Sequence, residues 1–248
     1  MKRFLTLLIT SLMLAGPVAA SNLTEMTDDE RAAFRAEVRA YLLENPGVIM
    51  EAVAALEAAQ ANAQVENDKT LIQVNAADIF DDGFSWVGGN PDGDVTLVEF
   101  MDYRCGYCRR AHGEVAELLE SDGNIRFVVK EFPILGEESM LASRFAIAAK
   151  NVVGGAEYKL LNDALMYYSG EINETALRRL SDTMGLDADV ILAEMNSDEV
   201  TKEIALTRAL AQRLQINGTP TFVLQDQMLR GYVPLEQMRS AVEDVRTQ

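Results

Sequence analysis

Apolar residues recur along this chain with three different spacings, and each spacing predicts a different kind of element. From about Asp28 to Val74 the spacing is helical, with one break at Asn45-Pro46-Gly47. Phe34, Val38, Tyr41 and Leu42 form one stripe before the break, and Ile49, Ala52, Leu56, Ala59 and Ala63 form a heptad-like seam after it. Two arrangements fit this segment equally: a helix packed on its own domain, or a protruding oligomerisation stalk. A turn-rich stretch follows, with Asp81-Asp82-Gly83 and then Gly88-Gly89-Asn90-Pro91-Asp92-Gly93.

Beyond that stretch the spacing changes. Val95 to Met101 is a dense apolar run of β-formers and predicts a central strand. Gly106 to Glu120 returns to helical spacing at Ala111, Val115, Leu118 and Leu119, and Ile125 to Phe132 is a second apolar strand. Strand, helix and strand with short links make a βαβ unit. From Glu137 to about Leu214 the chain is helical in pieces separated by Gly154-Gly155, Ser169-Gly170, Gly185 and Asn196-Ser197. One of these pieces buries Phe145, Ala148, Ala149 and Val152, and another Leu160, Leu161, Ala164, Leu165 and Tyr168. Strands at Thr221 to Leu224 and Met228 to Tyr232 and a helix from Pro234 close the chain, so the helices between are an insertion into an α/β fold.

The first twenty residues stand apart. Lys2 and Arg3, the apolar run Phe4 to Ala15, the break at Gly16-Pro17 and the small residues Val18-Ala19-Ala20 read as a cleaved export signal, with the mature chain starting at Ser21. Export places the cysteines in an oxidising compartment. The 248 residues are 48% hydrophobic, enough for a real core, and the net charge of −17 disfavours nucleic acid and anionic membranes. Two Cys and one His cannot by themselves supply the four N/S ligands of a structural zinc site.

The chemistry centres on Cys105-Gly106-Tyr107-Cys108, placed where a strand gives way to a helix. A helix N-terminus stabilises a thiolate, which makes Cys105 the exposed nucleophile. The two-residue spacing makes Cys108 the shielded resolving thiol. A structural disulfide across four residues would be a weak staple, because so small a ring restricts the unfolded chain little. Arg109 and Arg110 add positive charge, and Tyr107 sits where it can touch substrate. Glu99, in mid-strand, is a candidate proton relay for a buried thiol, with Lys130 of the next strand as its neighbour; the competing arrangement is an ordinary ion pair between the two. His112 lies one helical turn past Cys108, as a surface residue or a further ligand. In Gly218-Thr219-Pro220-Thr221 the base rate of proline isomers favours a trans bond; a cis bond would free the main chain of Thr219 to pair with an extended substrate.

These motifs together resemble the DsbA-like branch of the thioredoxin superfamily. The matching residues are Val98-Glu99-Phe100, Asp102-Tyr103-Arg104-Cys105-Gly106-Tyr107-Cys108, Lys130-Glu131-Phe132-Pro133-Ile134-Leu135-Gly136 and Gly218-Thr219-Pro220-Thr221-Phe222, within a resemblance from about Trp86 to Arg246. The resemblance implies a thioredoxin fold with an inserted helical domain. It also implies a cis Pro220 beside the cysteines, Thr219 contacting substrate, and Glu99 and Lys130 beneath Cys108. Tyr41-Leu42-Leu43-Glu44-Asn45-Pro46 with Val48-Ile49 resembles the N-terminal segment of suppressor-of-copper-sensitivity C proteins. Some of those are trimeric disulfide isomerases, which favours the stalk and a homo-oligomer, a trimer, built through the N-terminal helices. Gly-Tyr between the cysteines departs from the Pro-His of strong oxidases and argues against a dedicated oxidising role.

The expectation is therefore a signal peptide over 1–20, an N-terminal helical extension over 21–80 and a DsbA-like domain over 81–248, with its helical insertion at about 137–214. The expected activity is periplasmic thiol–disulfide exchange on protein clients, as isomerase or reductase. The catalytic residues would be Cys105, Cys108, Glu99 and Lys130, and the substrate-binding residues Thr219, Pro220 and Tyr107, with no cofactor and no resident metal. A membrane redox partner would reset the cysteines. The alternatives are a DsbA-type oxidase and, from another class, a copper-binding or copper-tolerance protein using the same cysteines.

Overall fold

The computed structural model describes residues 26–247; the expected signal peptide lies outside them. The chain forms two units, one ending at Ala59 and the other beginning at Gln60.

In the first unit, helix α1 (Asp28–Glu44) starts at a capping box. The Glu30 N–H donates to Thr27 Oγ1 at 3.3 Å and the Thr27 N–H donates to Glu30 Oε2 at 2.8 Å, so two otherwise orphaned donors are satisfied. Asp28, Asp29 and Glu30 in the first turn complement the positive end of the helix dipole. Asn45 ends the helix, its backbone N–H and its side-chain amide both donating to the Tyr41 carbonyl, and α2 (Gly47–Val74) follows Pro46. No residue of α1 is buried, and Phe34, Val38 and Tyr41 of the apolar stripe all stand exposed. Ile49 and Leu56 of the seam are exposed as well.

The second unit is built on a five-stranded sheet ordered β1-β3-β2-β4-β5. Strands β2 (Val95–Met101) and β3 (Ile125–Glu131) are parallel and joined through α4 (Gly106–Asp122), the expected βαβ unit. Both strands are buried along nearly their whole length, which is why they read as continuous apolar runs and not as alternating ones. β4 (Thr221–Leu224) lies antiparallel to β2, and β5 (Gln227–Arg230) antiparallel to β4. β1 (Trp86–Gly89) is an edge strand that the turn-rich reading of this stretch did not foresee. Its two glycines weaken any local strand signal, and it is held from outside: Trp86 packs on Phe127 and Tyr158 and donates to the Gly155 carbonyl at 2.8 Å.

The pleat sends alternate residues to opposite faces. On one face Leu97 and Met101 of β2 and Phe127 and Val129 of β3 pack with α4, through Cys108, Ala111, Val115 and Leu118, and with Met238 and Val242 of α10 (Leu235–Thr247). The inserted helices α5 (Glu137–Val153), α6 (Gly155–Tyr167), α7 (Glu174–Met184), α8 (Ala188–Glu194) and α9 (Asp198–Arg213) extend this core through Phe145, Leu161, Leu177, Ile191 and Ile204. On the other face Val98, Phe100 and Val128 meet Ile72 of α2, Ile79 of the short α3 (Ala76–Phe80) and Leu210 and Leu214. Leu160, expected on a buried face, is 60% exposed, because α6 turns Tyr158, Leu161 and Leu165 inward instead. Val152 is likewise exposed at the end of α5. Among the described residues no helix is long and apolar enough to cross a membrane.

Candidate active site

Cys105 is the N-cap of α4, and both cysteines are free thiols. The Cys108 backbone N–H donates to Cys105 Sγ at 3.3 Å, so the sulfur takes the place that a Ser or Asp oxygen usually fills at a helix start. No acidic residue in the first turn of α4 competes for the dipole. The Cys105 sulfur lies 3.1 Å from the Thr219 carbonyl, to which it donates when protonated, across a Thr219–Pro220 peptide that is cis. That bond is the isomer the family resemblance implied, against the base rate. Cys105 is more enclosed than expected, at 6% exposure, and Cys108 is fully buried.

The two thiols have opposite acidities. The Cys105 thiol is held down at about 5, chiefly by hydrogen bonding with the Cys108 side chain; burial opposes this, and the Thr219 side chain and the backbone N–H groups of Cys108 and Tyr107 add to it. Burial drives Cys108 far above the ordinary thiol range, helped by its bond to Cys105 and by the charge of Glu99. At neutral pH the first cysteine is therefore a thiolate and the second a protonated thiol.

The loop before Cys105 is fixed by Asp102, whose carboxylate is fully buried. Its Oδ1 accepts from the Arg104 N–H at 2.7 Å and from Ser139 Oγ at 2.7 Å, and its Oδ2 accepts from the N–H groups of Ile134 at 2.8 Å and Leu135 at 3.0 Å. One carboxylate thus ties the Cys105 loop to the Pro133–Gly136 loop and to α5. Arg109 turns back toward the same loop, its Nε donating to the Tyr103 carbonyl at 2.9 Å.

Glu99 is buried on β2, with Oε1 lacking a hydrogen-bond partner. Burial pushes its carboxyl up to about 8, and the charges of Cys105 and Glu131 push the same way. Lys130 is not its neighbour. In the parallel register Lys130 stands opposite Phe100 and Val129 opposite Glu99, so the lysine projects to the far face of the sheet from Glu99 and the cysteines. There Lys130 Nζ donates to Asp82 Oδ2 at 2.5 Å and to the Asp78 carbonyl at 2.8 Å, a buried pair on the face away from the thiols. Burial, the largest single influence, raises the Asp82 carboxyl, but the attraction and hydrogen bond of Lys130 together with the hydrogen bonds from Ser85 outweigh it and the net shift is downward.

Glu131 occupies the position expected of Lys130, and sequence reasoning missed it. Its Oε1 accepts from the Tyr103 and Tyr158 hydroxyls, each at 2.7 Å, and Asn162 Nδ2 donates to the Tyr103 oxygen at 3.0 Å. Burial pushes Glu131 up to about 7. The available signal was the period of two along Ile125 to Glu131, but without the register it does not say which of Lys130 and Glu131 shares a face with Glu99.

The rim around Cys105 is aromatic. Tyr107 is 62% exposed and stacks on Tyr232 with centroids 6.2 Å apart, while the Arg110 guanidinium lies 4.4 Å over the Tyr232 ring. His112 turns away from the cysteines to α6, its Nε2 2.7 Å from Asp163 Oδ1 and its ring edge-on to Tyr167. Among the described residues no group of three His, Cys, Asp or Glu side chains is placed to hold a metal ion.

With the cysteines at the β2–α4 junction and the Thr219–Pro220 loop against them, the arrangement is that of a thioredoxin fold with helices inserted between its third and fourth strands. The chain belongs to the family of the DSBA-like thioredoxin domain, which matches residues 96–243, and residues 30–63 match the copper resistance protein ScsC N-terminal domain. A thioredoxin-like oxidoreductase from Silicibacter pomeroyi DSS-3 is 45% identical, with a TM-score of 0.65 over 69% of this chain and 98% of that one. The thiol-disulfide exchange protein alpha-DsbA2 from Wolbachia pipientis is 26% identical, with a TM-score of 0.69 over 74% of this chain and 98% of that one. A Na(+)/H(+) antiporter NhaA 3 from Salinispora tropica is 28% identical over 63% of this chain, and the aligned part is 24% of that protein's length. The chain thus spans about a quarter of the curated relatives it matches.

Proposed function

We propose that this protein is a thiol–disulfide oxidoreductase of exported protein clients, working as a disulfide isomerase or reductase in the periplasm. The observation that carries the reading is the acidity of Cys105, held at about 5 at a helix N-terminus beside a second, protonated thiol. The Cys105 thiolate attacks one sulfur of a client disulfide; a new S–S bond forms, the old one breaks, and the other client sulfur leaves as a thiolate. In isomerisation a client thiolate then displaces Cys105. In reduction Cys108 gives up its proton, bonds to the Cys105 sulfur and releases the client as a dithiol. Glu99, the buried carboxyl whose charge acts on Cys108, relays that proton.

The Thr219 carbonyl at Cys105 offers main-chain pairing to an extended client, and Pro220 and the exposed Tyr107 flank the approach. Lys130 has no role in this reading, because its side chain lies beyond the sheet. A stabilised thiolate favours the reduced protein, so a membrane reductant keeps an isomerase supplied; the same acidity under a membrane oxidant would serve an oxidase.

The match of residues 30–63 to the ScsC N-terminal domain and the exposed Phe34, Val38 and Tyr41 stripe support assembly of copies, as a trimer, through the N-terminal helices. Light scattering of Phe34→Asp checks this, a monomer being the expected result. The test of direction is the redox state of Cys105 and Cys108 trapped by acid and alkylation directly from cells. Mostly reduced protein supports isomerase or reductase action, and mostly disulfide-bonded protein overturns it in favour of an oxidase. Activity toward a scrambled disulfide substrate that survived Cys105→Ala would overturn thiol exchange altogether.

A further inference from the structure

We infer that Glu131 is a positioning residue of the proton relay: with Glu99 it forms a coupled carboxyl pair on the sheet face that packs against α4, and it sets how tightly Glu99 holds its proton. The inference rests on the thiol-exchange reading and goes beyond it by naming the second acid.

The placement comes from the β2–β3 register. Glu99 pairs with Val129 and Met101 with Glu131, so the two glutamates are diagonal neighbours on one face of the sheet. Each has a buried carboxyl oxygen without a hydrogen-bond partner, Oε1 of Glu99 and Oε2 of Glu131, and Lys130 is on the other face. Two carboxylates so placed in a medium of low polarity do not both ionise readily, and their titrations belong to the pair. The environment separates their roles. Glu131 Oε1 accepts two tyrosine hydroxyls, with Asn162 donating to the oxygen of one of them, an arrangement that favours its charged form. Glu99 Oε1 accepts from no hydroxyl. The charge therefore rests on Glu131 and the shared proton on Glu99, in keeping with carboxyls raised to about 7 and about 8. The other titratable groups facing the pair are Cys105 and Cys108 from α4, Tyr103 from the preceding loop, Tyr158 from α6 and Glu203 from α9, the last neutralised by Lys150 at 2.6 Å.

In the resolving step the Cys108 sulfur bonds to the Cys105 sulfur and the client sulfur leaves with the electron pair of the broken bond. The Cys108 proton passes to the carboxyl pair, which goes from one bound proton to two.

Infrared titration of the carboxyl C=O stretch in the reduced, full-length protein tests the pairing. Above the range where exposed carboxyls titrate, the wild type shows two bands and Glu99→Gln identifies one of them. Glu131→Gln removes the other and lowers the midpoint of the Glu99 band by at least about half a pH unit, since a neighbouring negative charge is gone. Tyr158→Phe, which deletes one hydroxyl, raises the midpoint of the Glu131 band and serves if Glu131→Gln does not fold. A Glu99 midpoint unmoved by Glu131→Gln, or both midpoints unmoved by Tyr158→Phe, overturns the inference. Failure of the wild type to exchange with glutathione disulfide defeats the thiol reading instead, and the infrared titration still reads the pair.

Discussion

The two faces of the central sheet bury charge in opposite ways. On the face toward α4, Glu99 and Glu131 are buried acids without a cation, and their carboxyls rise to about 8 and about 7. On the other face Lys130 is equally buried but meets Asp82 at 2.5 Å and the Asp78 carbonyl at 2.8 Å. A buried acid without a counter-ion sits near neutral pH and can exchange a proton; a buried ion with a full set of partners stays charged and orders the groups around it. One sheet thus separates chemistry from scaffolding by the thickness of a strand.

The comparison breaks most completely at the sulfur. Cys105→Ser lowers exchange with a small disulfide by at least about a thousandfold, because a serine hydroxyl does not ionise in the working range. In the wild type, alkylation of Cys105 titrates with a midpoint near 5. On the opposite face Lys130→Met destabilises the fold by about 3–5 kcal/mol, read by urea unfolding, because it strands the Asp82 charge. The alkylation midpoint of Cys105 stays in place in that variant; a displaced midpoint would show that the two faces are coupled.

Glu99→Gln sharpens the same contrast. It slows release of the client from the mixed disulfide by about 10- to 100-fold, measured by acid quench, and leaves the first attack nearly unchanged. It also alters stability against pH. The folded carboxyl sits near 8, above its unfolded value, so its contribution is fully present below the ordinary glutamate range and is lost as pH rises through about 8. Unfolding at a series of pH values across that window shows a falling stability in the wild type and a flatter profile in Glu99→Gln, the residual slope belonging to Glu131. The smallest effect is expected at the exposed rim. Tyr107→Ala raises KM for a protein client by about threefold to tenfold and leaves a small disulfide unaffected, consistent with one aromatic contact at the edge of an interface.

Which of these features could be read in advance follows from how local each one is. The Cys105–Cys108 motif, its strand and its helix were legible because a dense apolar run, a two-residue spacing and a helical stripe are properties of adjacent residues. Glu99 could be singled out because a carboxylate within such a run has no local reason to be there. The Trp86–Gly89 strand was not legible, since its signal comes from pairing with β3 and from the packing of one tryptophan. The choice of Lys130 over Glu131 was an error of one residue, and in a strand one residue exchanges the two faces.

Local order in the chain by itself determined the elements, the paired cysteines at a helix start and the insertion of helices between two halves of a sheet, because hydrophobic period, turn residues and cysteine spacing act over a few residues. Only the tertiary structure decided the neighbours: the Thr219 carbonyl against Cys105, Asp163 beside His112, Asp82 for Lys130 and Glu131 for Glu99. Each of those pairings joins residues far apart in the chain or depends on strand register, and proton affinity in a buried site is set by such neighbours more than by the identity of the residue itself.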